Sequence, residues 1–153
     1  MTAKSIHLQA SMKNWDEFIS FIDEASEIKG LSDKRKYRLK LAAEELLSNI
    51  ICSSESSTKT TASKPFLHIS FEMVRLAGSH CLELILRDNA PQFDPKFYEM
   101  EPPKHIQAPV ALKPIGGLGL FLVKDSVDSV SYKYHDGHNV YTLEMELNSE
   151  LDQ

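Results

Sequence analysis

Residues 116–147 read GGLGLFLVKDSVDSVSYKYHDGHNVYTLEMEL, and this stretch decides the fold. Three of its first four residues are glycine, and the apolar residues that follow have helical spacing, so we predict a loop that opens into a helix. Apolar and polar residues then alternate on both sides of the sequence HDGH, which is typical of two strands joined by a tight turn. The stretch therefore predicts a loop, a helix and an antiparallel hairpin in this order.

Two amphipathic helices and a second hairpin are predicted upstream. Asn14 and Ser32 are residue types that cap helices, and each precedes apolar residues with helical spacing. Residues 67–73 and 82–86 alternate on either side of a turn, and residues 6–10 predict a short edge strand. This order of elements predicts the α+β class, in a two-layer sandwich of one mixed, mainly antiparallel sheet with about three helices on one face.

Two segments have no periodic pattern. Ser53–Ser63 reads SSESSTKTTAS, which predicts a mobile surface loop. Six of the seven prolines lie between Pro91 and Pro114, so we predict an irregular lid at about residues 95–115, with one helical turn near its start. Since neither a repeat nor a shift in composition is visible, residues 1–153 are interpreted as a single domain.

The composition excludes several classes of protein. The 153 residues carry a formal net charge of −5, so we expect no nucleic acid or membrane partner. The first residues do not resemble a signal peptide, which predicts a cytoplasmic location. His135 and His138 flank a turn without further ligands at metal-site spacing, so we interpret them as turn histidines.

Glu45 and Asn49 lie four residues apart, on the same side of the second predicted helix. The simplest interpretation is a solvated pair of side chains. Apolar neighbours on the same helix place Asn49 close to a buried face, however, where an amide needs a specific partner. A carboxylate and an amide in one cleft can orient a nucleophile and hold a hydrated Mg²⁺.

Two further positions suggest a nucleotide site. Asp88 ends an apolar strand, where a carboxylate can start a turn or accept a hydrogen bond from a purine amino group. A helix that begins with glycines offers free backbone N–H groups to a phosphate. The Walker A pattern is excluded because Leu120 and Phe121 stand where it requires Lys and Ser or Thr, and the dinucleotide fingerprint is excluded because Leu122 replaces a small residue.

Three stretches together resemble the N, G1 and G2 boxes of the histidine-kinase-like ATP-binding fold. They are LAAEELLSNI at 41–50, LILRDNAPQFDP at 84–95 and the glycine-rich stretch at 116–147. They look most like the branch of anti-sigma-factor serine/threonine protein kinases, and the resemblance extends from Ile6 to Leu147. It implies ATP and Mg²⁺ as cofactors.

The resemblance also assigns roles to individual residues. It implies that Asn49 coordinates Mg²⁺ and that Glu45 orients or deprotonates an acceptor serine. Asp88 would recognise the adenine amino group, Phe93 would form a wall of the pocket, and Thr142 would reach adenine through water. The phosphates would contact the first turn of the glycine-rich helix, at Gly117, Leu118, Gly119 and Leu120.

This sequence departs from the family pattern in the pocket and near the lid. Ala90 stands where the family usually has glycine, and Ile50 and Ile115 stand where basic residues are common.

The resemblance implies a kinase that binds a sigma factor or another regulatory target and phosphorylates a serine of an antagonist protein, with a possible homodimer. The departures keep open a second hypothesis, a nucleotide-gated binding module without phosphoryl transfer. A sensor histidine kinase fragment is disfavoured, because the first predicted helix contains no histidine.

Overall fold

Five strands form one sheet in the computed structural model, which describes residues 3–56, 64–100 and 117–148. The strands are β1 (Lys4–Gln9), β2 (Phe66–Leu76), β3 (Ser79–Asp88), β4 (Ser129–His135) and β5 (His138–Glu146). The helices of the described segments, apart from short 3₁₀ turns, are α1 (Trp15–Ser26), α2 (Asp33–Ser56) and α3 (Gly117–Ser126). The strand order is β1-β2-β3-β5-β4, so β5 lies between β3 and β4.

This arrangement confirms the predicted α+β class. The sequence predicted a mixed, mainly antiparallel sheet, and all four pairings of the described strands are antiparallel. The reason is that the β2–β3 and β4–β5 hairpins meet through β3 and β5, which run in opposite directions. Among the described helices, none is long and apolar enough to cross a membrane.

The core lies between the helices and one face of the sheet, which we call the inner face. On β3, Leu82, Leu84 and Leu86 are fully buried, and on β2 Leu67 and Ile69 are fully buried as well. The residues between them point to the other side, which we call the outer face and which is only partly buried. Because side chains alternate along a strand, this pattern assigns every strand residue to one of the two faces.

Helix α2 begins after Ser32, whose hydroxyl accepts a hydrogen bond from the backbone N–H of Arg35, as the predicted cap requires. The helix then continues to Ser56, so residues 53–56 of the predicted loop are helical instead. Ile51 and Ser54 are buried on the core side, which explains why the helix continues into the Ser-rich segment. Residues 57–63 of that prediction lie outside the described residues.

The start of the predicted lid is anchored to the core. Pro95 and Phe97 are buried, and Phe97–Glu99 form a 3₁₀ turn, which confirms the helical turn predicted at the start of this segment. The Lys124 ammonium donates to the Met100 carbonyl at 3.0 Å and ties the end of the described segment to α3. The remainder of the predicted lid, with Ile115, lies outside the described residues.

The turn between β4 and β5 fixes the register of the sheet at the site. Asp136 and Gly137 have φ angles of 50° and 78°, the left-handed conformations of a two-residue hairpin turn, as predicted. This turn pairs His135 with His138. Along β5, the next residue, Asn139, is then directly opposite Asp88 of β3.

Candidate functional site

A pocket of about 390 Å³ opens between α2, the end of β3 and the start of α3. It contains five of the residues predicted from sequence: Asn49, Asp88, Ala90, Phe93 and Leu120. Its other lining residues are Leu46, Ile50, Cys52, Ser53, Pro91, Asn139 and Tyr141. Residues of α2 and α3 therefore meet the end of β3 and the loop after it in this pocket, although these segments are far apart in the sequence.

Asp88 is the buried carboxylate of the pocket. It ends β3 on the inner face and is only 1% exposed. Its Oδ1 accepts hydrogen bonds from the Ala90 backbone N–H and from the Asn139 amide, both at 2.9 Å. Burial raises the pKa of Asp88 above its ordinary value. The hydrogen bonds from Asn139 and Ala90 lower it in part, and so does the charge of the nearby His138. Since both described donors bind Oδ1, Oδ2 is the acceptor atom that remains for a ligand.

Asn139 is the central residue of this site, and sequence reasoning missed it. Its amide nitrogen donates to Asp88 and to the carbonyls of Ala90 and Pro91, at 2.9, 3.2 and 3.1 Å. Its amide oxygen accepts from the Phe93 backbone N–H at 3.0 Å and from the Tyr132 hydroxyl. One side chain therefore connects β3, β4, β5 and the loop after Asp88. A sequence signal could have identified Asn139. It follows Gly137 by two residues and lies in the same alternating set of β5 residues as the apolar ones, which face the core.

Thr142 does not line the pocket. It lies on β5 between Ile85 and Ser131, which are its partners on the neighbouring strands. Tyr141 and Leu143 on either side of it are buried on the inner face, so Thr142 belongs to the outer face. The structure therefore places Thr142 on the side of the sheet opposite Asp88, which does not agree with the predicted contact.

Glu45 and Asn49 lie one turn apart on α2, at the edge of the pocket nearest α3. The Asn49 amide nitrogen donates to the Glu45 backbone carbonyl at 2.9 Å, so its oxygen is the atom that can meet a ligand. A Cβ on Gly119 would lie 2.9 Å from Glu45 Oε2 and 3.9 Å from the Asn49 amide nitrogen. Gly119 is therefore needed for the close approach of α3 to these side chains. Gly117 and Leu118 are the first two residues of α3, beside this contact.

The remaining surface of the pocket is mainly apolar. Leu46, Ile50 and Leu120 contribute aliphatic side chains, whereas Phe93 is 51% exposed at the mouth. Burial raises the pKa of Tyr141, with a further contribution from the Asp88 charge, so the phenol stays neutral. Asp88 is the one carboxylate among the described lining residues. An apolar pocket with such a buried carboxylate suits a ligand that has an apolar surface and an N–H donor.

A family model described as a histidine kinase-like ATPase domain matches residues 8–145. The matched range includes α1, α2 and α3 and the described residues that line the pocket. No curated protein matches the chain.

Proposed function

The chain belongs to the histidine kinase-like ATPase family, and we propose that it binds Mg·ATP in this pocket and acts as an anti-sigma-type serine/threonine protein kinase. The observation that carries the proposal is Asp88, a carboxylate buried in an apolar pocket with one oxygen held by two donors. A buried acceptor of this kind favours a ligand with a matching donor, because any other ligand leaves it without a partner.

Asp88 Oδ2 accepts a hydrogen bond from the adenine amino group in this proposal. Guanine has a carbonyl oxygen at the corresponding position, and this oxygen would face the carboxylate. Such a mismatch costs about 1–3 kcal/mol for the unsatisfied group, which corresponds to a preference for ATP of roughly 5-fold to 150-fold. Asn139 acts as a positioning residue, because it holds the Asp88 carboxylate and the backbone around Ala90 in place.

The phosphates bind at the first turn of α3, where backbone N–H groups and the positive end of the helix dipole are available. The residues present fit a magnesium ion, because the Asn49 amide oxygen lies at the edge of the pocket and Mg²⁺ is commonly held by few protein oxygens, phosphates and water. When bound, the ion neutralises charge on the phosphate oxygens. Asn49 holds it through its side-chain oxygen.

Glu45 orients the acceptor serine hydroxyl and accepts its proton. The carboxylate lies against Gly119 in the turn of α3 that we assign to the phosphates, so a hydroxyl beside it is close to the transferred group. Phosphoryl transfer depends mainly on positioning and on charge stabilisation. A carboxylate, an amide and the start of a helix supply both functions.

The regulatory part of the proposal is partner switching. The target is a sigma factor or another regulatory protein, and the kinase phosphorylates a serine of an antagonist protein, with a homodimer as the proposed assembly. A nucleotide-gated binding module is the second candidate function, and Ala90 favours it. The Ala90 methyl group lines the pocket where the family usually has glycine, and it reduces the space for a base.

The experiment that separates the two functions is a transfer assay with Mg·[γ-³²P]ATP and a protein extract of the source cell, followed by phosphoamino-acid analysis. Labelled serine in an extract protein, absent with the Glu45→Gln variant, supports the kinase. Mg·ATP binding without any label that depends on Glu45 contradicts the kinase and supports the binding module.

Adenosine affinity is expected to fall as the pH falls through the raised pKa of Asp88. Protonation converts the acceptor oxygen into a hydroxyl, so the complex with the amino group is lost on the acidic side. Adenosine is the right probe because it has no phosphate that titrates in the same range. Calorimetry at a series of pH values measures the effect, and an affinity that stays constant down to the ordinary Asp pKa contradicts it.

Asn49→Ala is expected to weaken Mg·ATP binding about tenfold, equivalent to about 1.4 kcal/mol, because a metal ligand is lost. With a chelator present, the variant and the wild type should bind ATP equally. Ser48→Ala is the matched control, since Ser48 is the exposed neighbour of Asn49 on α2. An equal loss of affinity with and without Mg²⁺ would show that Asn49 contacts the nucleotide only.

A further inference from the structure

A second depression lies on the outer face of the sheet, on the side opposite the ATP pocket. Its charged and titratable lining residues are His68, Arg87, Lys133, His135, Asp136 and His138. They come from β2, β3, β4, β5 and the β4–β5 turn. The proposed kinase mechanism uses none of them.

The register of the sheet creates the depression. Val140 of β5 is directly opposite Arg87 of β3 on one side and Lys133 of β4 on the other. Strands lie about 4.8 Å apart, so two long cationic side chains stand on either side of a short apolar one. His68 extends the same row on β2, where it is directly opposite Arg87. Val140 therefore lies at the bottom of the depression, with the Arg87 and Lys133 side chains on its two sides.

The basic groups of this row lack enough negative charge to balance them. Burial lowers the pKa of His68, and the positive charges of Arg87 and His7 lower it further. The Nε atom of Arg87 is buried and has no hydrogen-bond partner among the described residues. Asp136 is the one carboxylate among the described lining residues, and it pairs with His135 at 3.1 Å. In a chain with a net charge of −5, this concentration of positive charge is a local feature.

The nearest row of glutamates on the outer face lies too far from the basic row to balance its charge. Glu72, Glu83 and Glu144 form a neighbouring row across β2, β3 and β5. They lie four residues along their strands from His68, Arg87 and Val140, a separation of about 13 Å, which exceeds the screening length of about 8 Å at physiological salt. A bound anion would relieve the repulsion within the basic row directly.

We propose that this depression binds a phosphate monoester dianion between Arg87 and Lys133, with His68 and His138 as further donors. Arginine and lysine are the side chains that most often bind such groups, and the guanidinium can donate two parallel hydrogen bonds. A metal ion is the poorer fit, because the described residues contain no cluster of three metal-ligating side chains. The site is independent of the proposed kinase function. The phosphate can belong to a small molecule or to a phosphorylated side chain.

The test is an NMR titration of the ¹⁵N-labelled protein with sodium sulfate at constant ionic strength. We expect saturable shifts of backbone amides at 85–88 and 133–140, and at least a tenfold weaker affinity in the double variant Arg87→Gln/Lys133→Gln. Lys34→Gln/Arg38→Gln is the matched control, because it removes the same charge from exposed positions on α2. Shifts at these amides that do not saturate, or an equal affinity in both double variants, would overturn the proposal. Shifts confined to α3 would overturn it as well, since they would report sulfate at the nucleotide phosphate site instead.

A second readout needs no variant. Sulfate should raise the pKa of the His68 imidazole in the wild-type protein. The bound anion favours the protonated imidazole and offsets the positive charges of Arg87 and His7, which lower this pKa. His7 of β1 and Arg87 of β3 are directly opposite His68, and His138 of β5 lines the same depression, whereas Lys133 and His135 lie on β4, three strands away from β2. An unchanged pKa of His68 at saturating sulfate would contradict a site in this row.

The source of the phosphate is identified by repeating the titration with inorganic phosphate and with a phosphoserine peptide. The affinity of each ligand is compared with that of sulfate. Tighter binding of the peptide than of inorganic phosphate identifies a phosphorylated protein as the source, whereas equal binding identifies a small molecule. Either result supports the site. Binding of the unphosphorylated peptide with the same affinity would overturn it.

Discussion

Replacing Glu45 with glutamine is expected to slow phosphoryl transfer at least about 100-fold while the Mg·ATP affinity stays within about twofold. Glutamine keeps the size of the side chain but cannot accept a proton. Glu45 is half-buried on α2, and its Oε2 lies against Gly119 rather than in the lining of the adenine pocket. For this reason the change should affect the chemical step and not nucleotide binding.

Single-turnover transfer and calorimetry on the same preparation measure the two effects separately. Glu44→Gln is the matched control, because Glu44 is the half-buried neighbour of Glu45 on α2 and lies with Lys36 and Lys40 on a different surface. This control should transfer phosphate at the wild-type rate. If Glu45→Gln transferred phosphate at the rate of the control, Glu45 would not be the base.

Asn139→Ala is expected to lower the free energy of unfolding by about 3 kcal/mol, because several buried polar groups lose their partners at once. The Phe93 N–H, the Tyr132 hydroxyl and Asp88 each lose a hydrogen bond, and so do the carbonyls that Asn139 reaches. The same variant should bind ATP more weakly, since the position of the Asp88 carboxylate depends on this amide.

Urea unfolding of the variant and the wild type measures the loss of stability. Asn148→Ala serves as the control, because Asn148 is exposed just after β5. A loss for Asn139→Ala of less than about 1 kcal/mol, the value of a single ordinary hydrogen bond, would show that Asn139 does not organise the site. Normal stability with weaker ATP binding would instead make it a direct ligand contact.

The elements of this fold could be predicted from local patterns. Alternation along β2, β3 and β5 and the helical spacing in α1 and α2 identified the sheet and its helices, and HDGH identified the turn before β5. Asp88 was predicted for the same reason, because it ends an apolar strand. Asp88, Asn49 and Leu120 line one pocket, as the joint resemblance of three separate boxes led us to expect.

Thr142 and Asn139 show where local patterns were insufficient. Both lie on β5, and the choice between them depends on which parity of the strand faces the helices. The buried residues Tyr141 and Leu143 already indicated that parity, so Asn139 could have been chosen over Thr142. Its partners, however, come from β3, β4 and the loop after Asp88, and no single stretch of sequence brings these together.

The outer-face depression could not be predicted for a related reason. Arg87 and Lys133 are far apart in the sequence, and they flank the same valine only because β5 lies between β3 and β4. The end of α2 was misplaced for the opposite reason. The composition of Ser53–Ser56 favours a loop, yet burial of Ile51 and Ser54 supports another turn of helix.

Thermal unfolding with Mg·ATP, Mg·GTP, and ATP plus a chelator tests the central claim most directly, with Asp88→Asn as the variant that removes the adenine acceptor. A ligand at about 100 times its Kd adds roughly 2.7 kcal/mol to the stability of the folded state. We predict a large stabilisation by Mg·ATP and smaller ones by ATP with chelator and by Mg·GTP. The preference for ATP over GTP should be absent in Asp88→Asn. Equal shifts with ATP and GTP, or no shift with any nucleotide, would contradict the assignment of this pocket to Mg·ATP.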